Sequence, residues 1–309
     1  MLSRVGETLY WMSRYIERAE NVARLINVHN MLMMDLPKGI STGWEPLIDI
    51  IGARSNYLES HEDFSEQKAL RYLLVGKDNY SSILSSIISA RESARTIRDV
   101  IPRDVWEEIN SLYYYVKDNQ NEGLTKRGRF IYLKTIIGSA HQIFGALDAT
   151  INHDLGYTFI RLGLMIERAD MTSRILDIRS ETLIISDEAK PYENIQWISL
   201  LRSLSAYQMY RQEMGIRVQR SDVIEFVMLN EVFPRSIIYC LEQMKMLISP
   251  LPSSSKIILT IDQSINALKV EDVRALQRGL LHDYIDDVQL KLAGIHNGLA
   301  ELYFLKPTV

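Results

Sequence analysis

One amphipathic pattern near the start of the chain constrains the fold more than any other feature. Val5, Leu9, Met12, Ile16, Ala19, Ala23 and Ile26 recur at steps of three and four residues, the spacing that lines up side chains along one face of a helix. The pattern runs from Leu2 to Met34 and stops before Pro37. The same period continues along the chain. Helices are expected around 46–52, 65–75, 82–100, 103–117, 130–152, 157–185, 195–212, 221–230, 234–248, 261–269 and 273–305. Asn79 and Ser65 are candidate N-caps, and Pro102 and Pro234 suit first turns. Lys256 to Thr260 is the only short candidate for a strand. With eight prolines and fifteen glycines in 309 residues, little interrupts these elements. The expected fold class is all-α, a multi-helix bundle.

Composition narrows the class further. Hydrophobic residues at 47% and charged residues at 24% sit close to the globular average and exclude a disordered or collagen-like chain. A net charge of −4 argues against a dedicated nucleic-acid binder, which carries a basic excess. Cys240 is the one cysteine, which excludes an internal disulfide and a cysteine-based zinc cluster and fits a reducing compartment. Neither a signal-peptide core nor an uncharged stretch of about 18 residues occurs, so no membrane partner is expected and the location expected is cytoplasmic. Length alone suggests two domains. No Gly/Ser-rich linker divides the chain, so the reading is one helical domain over 1–309, with 1–150 and 151–309 as candidate halves.

An internal repeat sharpens the picture. Residues 15–25, YIERAENVARL, align without gaps on residues 165–175, MIERADMTSRI, at an offset of 150. Two long helices therefore carry the same surface. Ala19 with Ala23, and Ala169 with Ser173, place small residues four apart where helix backbones can approach closely. Glu20–Arg24 and Asp170–Arg174 are acid-before-base pairs at i and i+4. Arg18 and Glu167 interrupt apolar rows, and a buried charge needs a partner; the natural partners are the Arg and Glu of the other copy. Glu17, Arg18, Glu20, Arg24, Glu167, Arg168, Asp170 and Arg174 are thus candidates for a structural ion-pair network or for a polar ligand site.

Other chemistry is sparse. No HExxH, dinucleotide-binding Gly-x-Gly-x-x-Gly, Walker A loop or Gly-x-Ser-x-Gly elbow occurs. No histidine has a Glu three residues before it, which removes the di-iron bundle signature. No metal and no cofactor are expected. Arg91, Arg95 and Arg98 form a spaced row that is a candidate anion or partner surface, and Arg235, after a helix-start proline, is a further candidate for the same role. His141, His153 and Asp154 read as structural, and Cys240 as a core thiol.

Several of these segments together resemble the bacterial alpha-E family, named for a helical domain with a recurring Glu-Arg motif. Leu2-Ser3-Arg4, Tyr10-Trp11 and Glu17-Arg18-Ala19-Glu20 resemble its N-terminal signature. Ala90-Arg91-Glu92-Ser93-Ala94-Arg95 with Ile97-Arg98 and Trp106 is similar to its central segment. Glu167 to Met171 with Asp177-Ile178-Arg179, and Asp222 to Asn230 with Phe233-Pro234-Arg235-Ser236, resemble the later motifs. Ser13 stands where a Gly before Arg14 is usual, and Gly163 is followed by Leu164 rather than Arg. The resemblance implies a bacterial cytosolic protein whose gene neighbours typically include an ATP-grasp ligase and a transglutaminase-like peptidase. It thereby implies an accessory subunit that binds the ligase and helps hold its peptide or amino-acid substrate. The alternative is an enzyme whose acid/base site is built from Glu17, Arg18, Glu167 and Arg168. That site would need a carboxyl lining an accessible pocket. No catalytic residue is carried over from the family, and self-association is left open.

Overall fold

The computed structural model describes residues 3–37, 41–181 and 192–304. Among these residues the chain forms fifteen α-helices and a terminal π-helical segment, with no strand. The all-α expectation holds. Two compact units emerge: residues 1–30 with 43–164, and residues 31–42 with 165–309.

The helix α1 covers Ser3–Asp35. Its apolar stripe is enclosed from Leu9 onward, with Leu9, Met12, Ile16, Ala19, Ala23 and Ile26 at 0% exposure and Val5 half-buried. Tyr10, Val22 and Leu25 on other faces are buried as well. The helix ends short of Pro37 because proline has no N–H to extend the ladder and restricts the residue before it. In the first unit α1 is followed by α2 (Glu45–Ile50), α3 (Arg54–Leu58), α4 (Glu66–Val75), α5 (Ile83–Thr96), α6 (Arg103–Asp118), α7 (Gln120–Leu124) and α8 (Arg129–Thr150). α5 packs on α6 and α6 on α8. α6 shows its apolar face plainly: Val105, Ile109, Leu112 and Val116 are buried at the helical spacing. The helix α9, Leu155–Glu181, contributes its residues up to Leu164 to this unit. Gly163 lies so close to α1 that a Cβ there would stand against the Tyr10 carbonyl oxygen and Ser13 Oγ. Ser13 Oγ in turn donates to Tyr10 O at 2.9 Å.

The second unit holds the remainder of α9 and α10 (Glu193–Ser203), α11 (Tyr207–Glu213), α12 (Arg220–Leu229), α13 (Ile237–Ile248), α14 (Ser255–Val270) and α15 (Arg278–Leu299), then the π-helical segment Ala300–Phe304. α13 and α15 both pack on α14.

Several local expectations change. The single helix expected over 195–212 is two, because Ser205 enters the left-handed region at φ 54°. Ala206 N–H then donates back to Leu201 O at 2.7 Å and Ser205 N–H to Arg202 O at 3.0 Å, the hydrogen bonds of a Schellman C-cap with serine in the place usually taken by glycine. The strand candidate Lys256–Thr260 is the first turn of α14, where Ile257, Ile261, Ile265 and Leu268 are buried; the longer 3.6-residue period outweighs the short β-prone run. Asn79 does not cap α5. Ser82 does, accepting from Ser85 N–H at 3.1 Å, while Asn79 donates to Tyr72 O at 3.1 Å and so serves the end of α4. Ser65 occupies the N-cap position of α4 without a side-chain cap. Pro234 lies in a turn, and α13 begins three residues later with Ser236 accepting from Tyr239 N–H. The polar stretch 118–129 contains the short helix α7, and α3 is additional. Leu2, residues 38–40, the stretch 182–185 of one expected helix and Leu305 lie outside the described residues.

Candidate functional site

The first Glu-Arg segment lies on α1 and is buried. Glu17 and Glu20 are each 1% exposed, Asn21 1% and Arg24 4%. Within one helix these side chains form a ladder. Arg24 Nη2 donates to Glu20 Oε2 and, at 2.8 Å, to Asn21 Oδ1. Asn21 Nδ2 donates to Glu17 Oε1 at 3.5 Å. His141 of α8 brings Nε2 to 3.3 Å from Glu20 Oε1. The i, i+4 spacing on one face produces this arrangement directly. Arg14 and Arg18 behave differently: Arg14 lies over the Trp11 ring at 4.8 Å and reaches the Tyr10 hydroxyl at 3.3 Å. Arg18, half-buried, lies 5.8 Å from the Tyr15 ring centroid. The aromatic–arginine steps Trp11–Arg14 and Tyr15–Arg18 therefore place each guanidinium on a ring one turn earlier.

The second segment, on the later part of α9, is arranged less tightly. Glu167 is buried and Arg168 half-buried. Arg174 Nε donates to Asp170 Oδ2 at 3.0 Å, with side-chain exposures of 34% and 24%. The two acid-before-base pairs thus both form, one enclosed and one partly in solvent. Ala19, Ala23, Ala169 and Ser173 are all buried. Further along α9, Arg179 is fully enclosed, and the loss of solvation pulls its pKa down to about 10.

The motif around Phe233-Pro234-Arg235-Ser236 is organised by Asn230. Its Oδ1 accepts from Val232 N–H at 3.0 Å and Phe233 N–H at 2.6 Å, and its Nδ2 donates to Glu213 Oε2 at 2.6 Å. Ser236 Oγ closes the turn by donating to Asn230 O. Arg235 is buried, and its carbonyl accepts from Thr172 Oγ1 at 2.8 Å, which ties this turn to α9. Replacing Asn230 with alanine removes three side-chain hydrogen bonds at a buried position. The expected cost is about 2–3 kcal/mol at roughly 1 kcal/mol each, to be read from the midpoint of urea unfolding.

The arginine row is not a free anion surface throughout. Arg91 Nε donates to Asn110 Oδ1 at 2.8 Å, and its guanidinium stacks over Tyr113 at 4.5 Å. Arg91 and Arg95 both hydrogen-bond Glu92. Arg98 falls beyond the end of α5 and lies 3.8 Å from Asp99, with both side chains exposed. His153 is structural, with Nε2 2.9 Å from Asp148 O and its ring stacked on Tyr157 at 3.8 Å. Asp154 accepts from Gly156 N–H at 2.7 Å at the start of α9. Cys240 is buried, with Sγ 3.7 Å from Pro234 O.

A group that sequence reading missed joins α9 to α15 inside the second unit. His282 Nδ1 is 2.7 Å from Asp177 Oδ1 and 3.8 Å from Glu181 Oε1, and its Nε2 is 3.8 Å from Asp286 Oδ2. Burial pushes the Asp177 carboxyl up, partly offset by its bond to His282. The same hydrogen bond to Asp177 raises the His282 imidazole. Its spacing is not Glu-x-x-His but Asp-x-x-x-Glu on one helix and His-x-x-x-Asp on the other. Both are i, i+4 pairs and were legible as such.

Two clefts lie away from the Glu-Arg segments. One of about 500 Å³ in the first unit is lined by Val5, Ile101, Pro102, Ile151 and Asp154 among others. One of about 380 Å³ in the second unit lies beside Met209, Glu213, Phe226, Asn230 and Pro234. Neither Glu17 nor Glu167 lines either of them.

An all-helical chain with its Glu-Arg segments built into two long helices is a helical domain of the Glu-Arg type. The chain belongs to the Alpha-E family, described as "a predicted alpha-helical domain with a conserved ER motif", which matches over residues 1–304. It is similar to an uncharacterized protein of Mycobacterium bovis and to uncharacterized proteins of two Mycobacterium tuberculosis strains. Each is 24% identical over 97% of this chain. The chain spans about a third, 36%, of the length of these curated relatives. No solved structure matches it. Among the described residues no helix is long and apolar enough to cross a membrane.

Proposed function

We propose that this domain is an accessory subunit of an ATP-grasp ligase that makes peptide or amide bonds. It docks on the ligase in the cytoplasm and helps hold the amino-acid or peptide substrate, with a transglutaminase-like peptidase as a further partner. One observation carries this reading over the enzyme alternative. Arg24 hydrogen-bonds both Glu20 and Asn21 in a buried ladder on α1, and Glu17, 1% exposed, accepts from Asn21 in the same ladder. A general acid or base must reach the proton it transfers, and a carboxyl with almost no exposed surface is poorly placed for that. The length of the mycobacterial relatives supports the same reading, since the matching stretch is only part of a longer polypeptide there.

The test is reconstitution with the ATP-grasp ligase that the family resemblance leads one to expect beside this gene. Co-purification at a one-to-one ratio is expected, as is amino-acid-dependent ADP release faster with the domain than with the ligase alone. Separate elution together with an unchanged rate would overturn the proposal. Glu17→Gln and Glu167→Gln variants are expected to leave that rate intact wherever they fold. A folded variant that abolished it would favour the enzyme reading.

A further inference from the structure

We propose that Asp177 and His282, with Asp286, form a binding site for a first-row divalent cation of the Zn2+ class, with Glu181 in reach as a further carboxylate. Two facing i, i+4 pairs make the site: Asp177 and Glu181 on α9, His282 and Asp286 on α15. One ligand atom from each of Asp177, His282 and Asp286 lies within 4.8 Å of the others. A tetrahedral ion with bonds of about 2.0–2.2 Å places its donors roughly 3.4 Å apart, so the widest pair in the cluster needs to close by up to about 1.4 Å. The exposed ends are free to make that adjustment, since the side chains of Asp286 and Glu181 are 56% and 43% exposed. Asp177, at 6%, is the fixed point.

Charge gives a second, independent argument. Among the described residues, the ionisable groups that bear on Asp177 are His282, Glu181 and Asp286, and those that bear on His282 are the three carboxylates. One imidazole, even when protonated, cannot balance three carboxylates, and the most enclosed of them has lost much of its water. A divalent cation supplies the missing positive charge. The donor set is one nitrogen and up to three oxygens. The imidazole favours zinc and its neighbours over magnesium and calcium, which prefer all-oxygen ligands. With two ligands at the surface, the remaining coordination positions are left to water or to a ligand from solution. The inference is independent of the ligase proposal.

The experiment titrates Zn2+ into the full chain, after stripping with chelator, in competition with a chromogenic indicator. Wild type is expected to bind one equivalent that a large excess of Mg2+ does not displace. His282→Gln, at a half-buried residue, and Asp286→Asn, at an exposed one, are each expected to weaken that equivalent by at least about tenfold, the loss typical of damaged metal sites. His153→Gln is expected to leave it unchanged. Zn2+ is also expected to raise the unfolding temperature of the wild type and not of His282→Gln. No bound Zn2+ at micromolar concentration, or equal affinity in wild type and in folded His282→Gln, would overturn the proposal.

Discussion

Replacing Arg24 with methionine is expected to cost about 3–5 kcal/mol of folding free energy, the range for breaking one member of a buried ion pair. Glu20 and Arg24 have side-chain exposures of 1% and 5%, so the carboxylate left behind cannot recover its lost solvation from water. His141, whose side chain is 59% exposed at 3.3 Å, offsets only part of that loss. Asn21 also loses the donor it shares with the pair. The informative measurement is a double-mutant cycle of Glu20→Ala and Arg24→Ala by urea unfolding. Its coupling energy is expected to exceed about 1 kcal/mol, as for enclosed charges. The same cycle on Asp170 and Arg174 is expected to give only about 0.2–0.5 kcal/mol, as for a helical surface pair. Equal couplings in the two cycles would show that burial does not separate the two copies.

Gly163→Ala is expected to destabilise the chain by about 1–3 kcal/mol, the usual cost of overpacking. The new methyl would stand against the Tyr10 carbonyl oxygen and Ser13 Oγ. A side chain can turn away, but the Tyr10 carbonyl belongs to the helical ladder of α1, so the backbones themselves must part. Ser13→Ala combined with Gly163→Ala is therefore expected to recover little. Gly138 and Gly145 in α8 supply the control, because a Cβ at either meets nothing within 4 Å. Alanine there is expected to stabilise by about 0.5–1 kcal/mol through the lost flexibility of the unfolded chain. Differential scanning fluorimetry of the three alanine variants reads both signs. A neutral Gly163→Ala would mean that α1 and α9 do not approach this closely in solution.

The contact between Gly163 and Ser13 joins two residues 150 apart, the same offset that aligns YIERAENVARL on MIERADMTSRI. The sequence marked both positions only as departures from a family pattern. It pointed instead to Ala19, Ala23, Ala169 and Ser173 as crossing points, by the general rule that small residues admit close backbones. All four are buried. Periodicity nominates a stripe of small residues, but which one another helix touches depends on where that helix crosses.

Legibility varied with the range of the interaction. The stripe of α1, the stop before Pro37, and the pairs Glu20–Arg24 and Asp170–Arg174 were readable because partners three or four residues apart share a helix face. The break at Ser205 was not readable, since nothing in the sequence requires a serine to adopt φ 54°. The same limit applied to Asn230, whose hydrogen bonds reach back to Glu213 and forward to Phe233, and to the arginine row, where Asn110 and Tyr113 of α6 occupy Arg91.

Spacing and periodicity alone specify that this protein is all-α and which charges pair along two of its long helices, Glu20 with Arg24 and Asp170 with Arg174. Those features follow from the 3.6-residue turn, which is fixed by backbone geometry and repeats wherever the apolar spacing persists. Packing, by contrast, sets that the Glu20–Arg24 pair is enclosed while Asp170–Arg174 is partly in solvent, and that Asp177 meets His282 across more than a hundred residues of chain. Burial and long-range juxtaposition are properties of packing between helices. Helix periodicity specifies which face is apolar, but not which distant face it will meet.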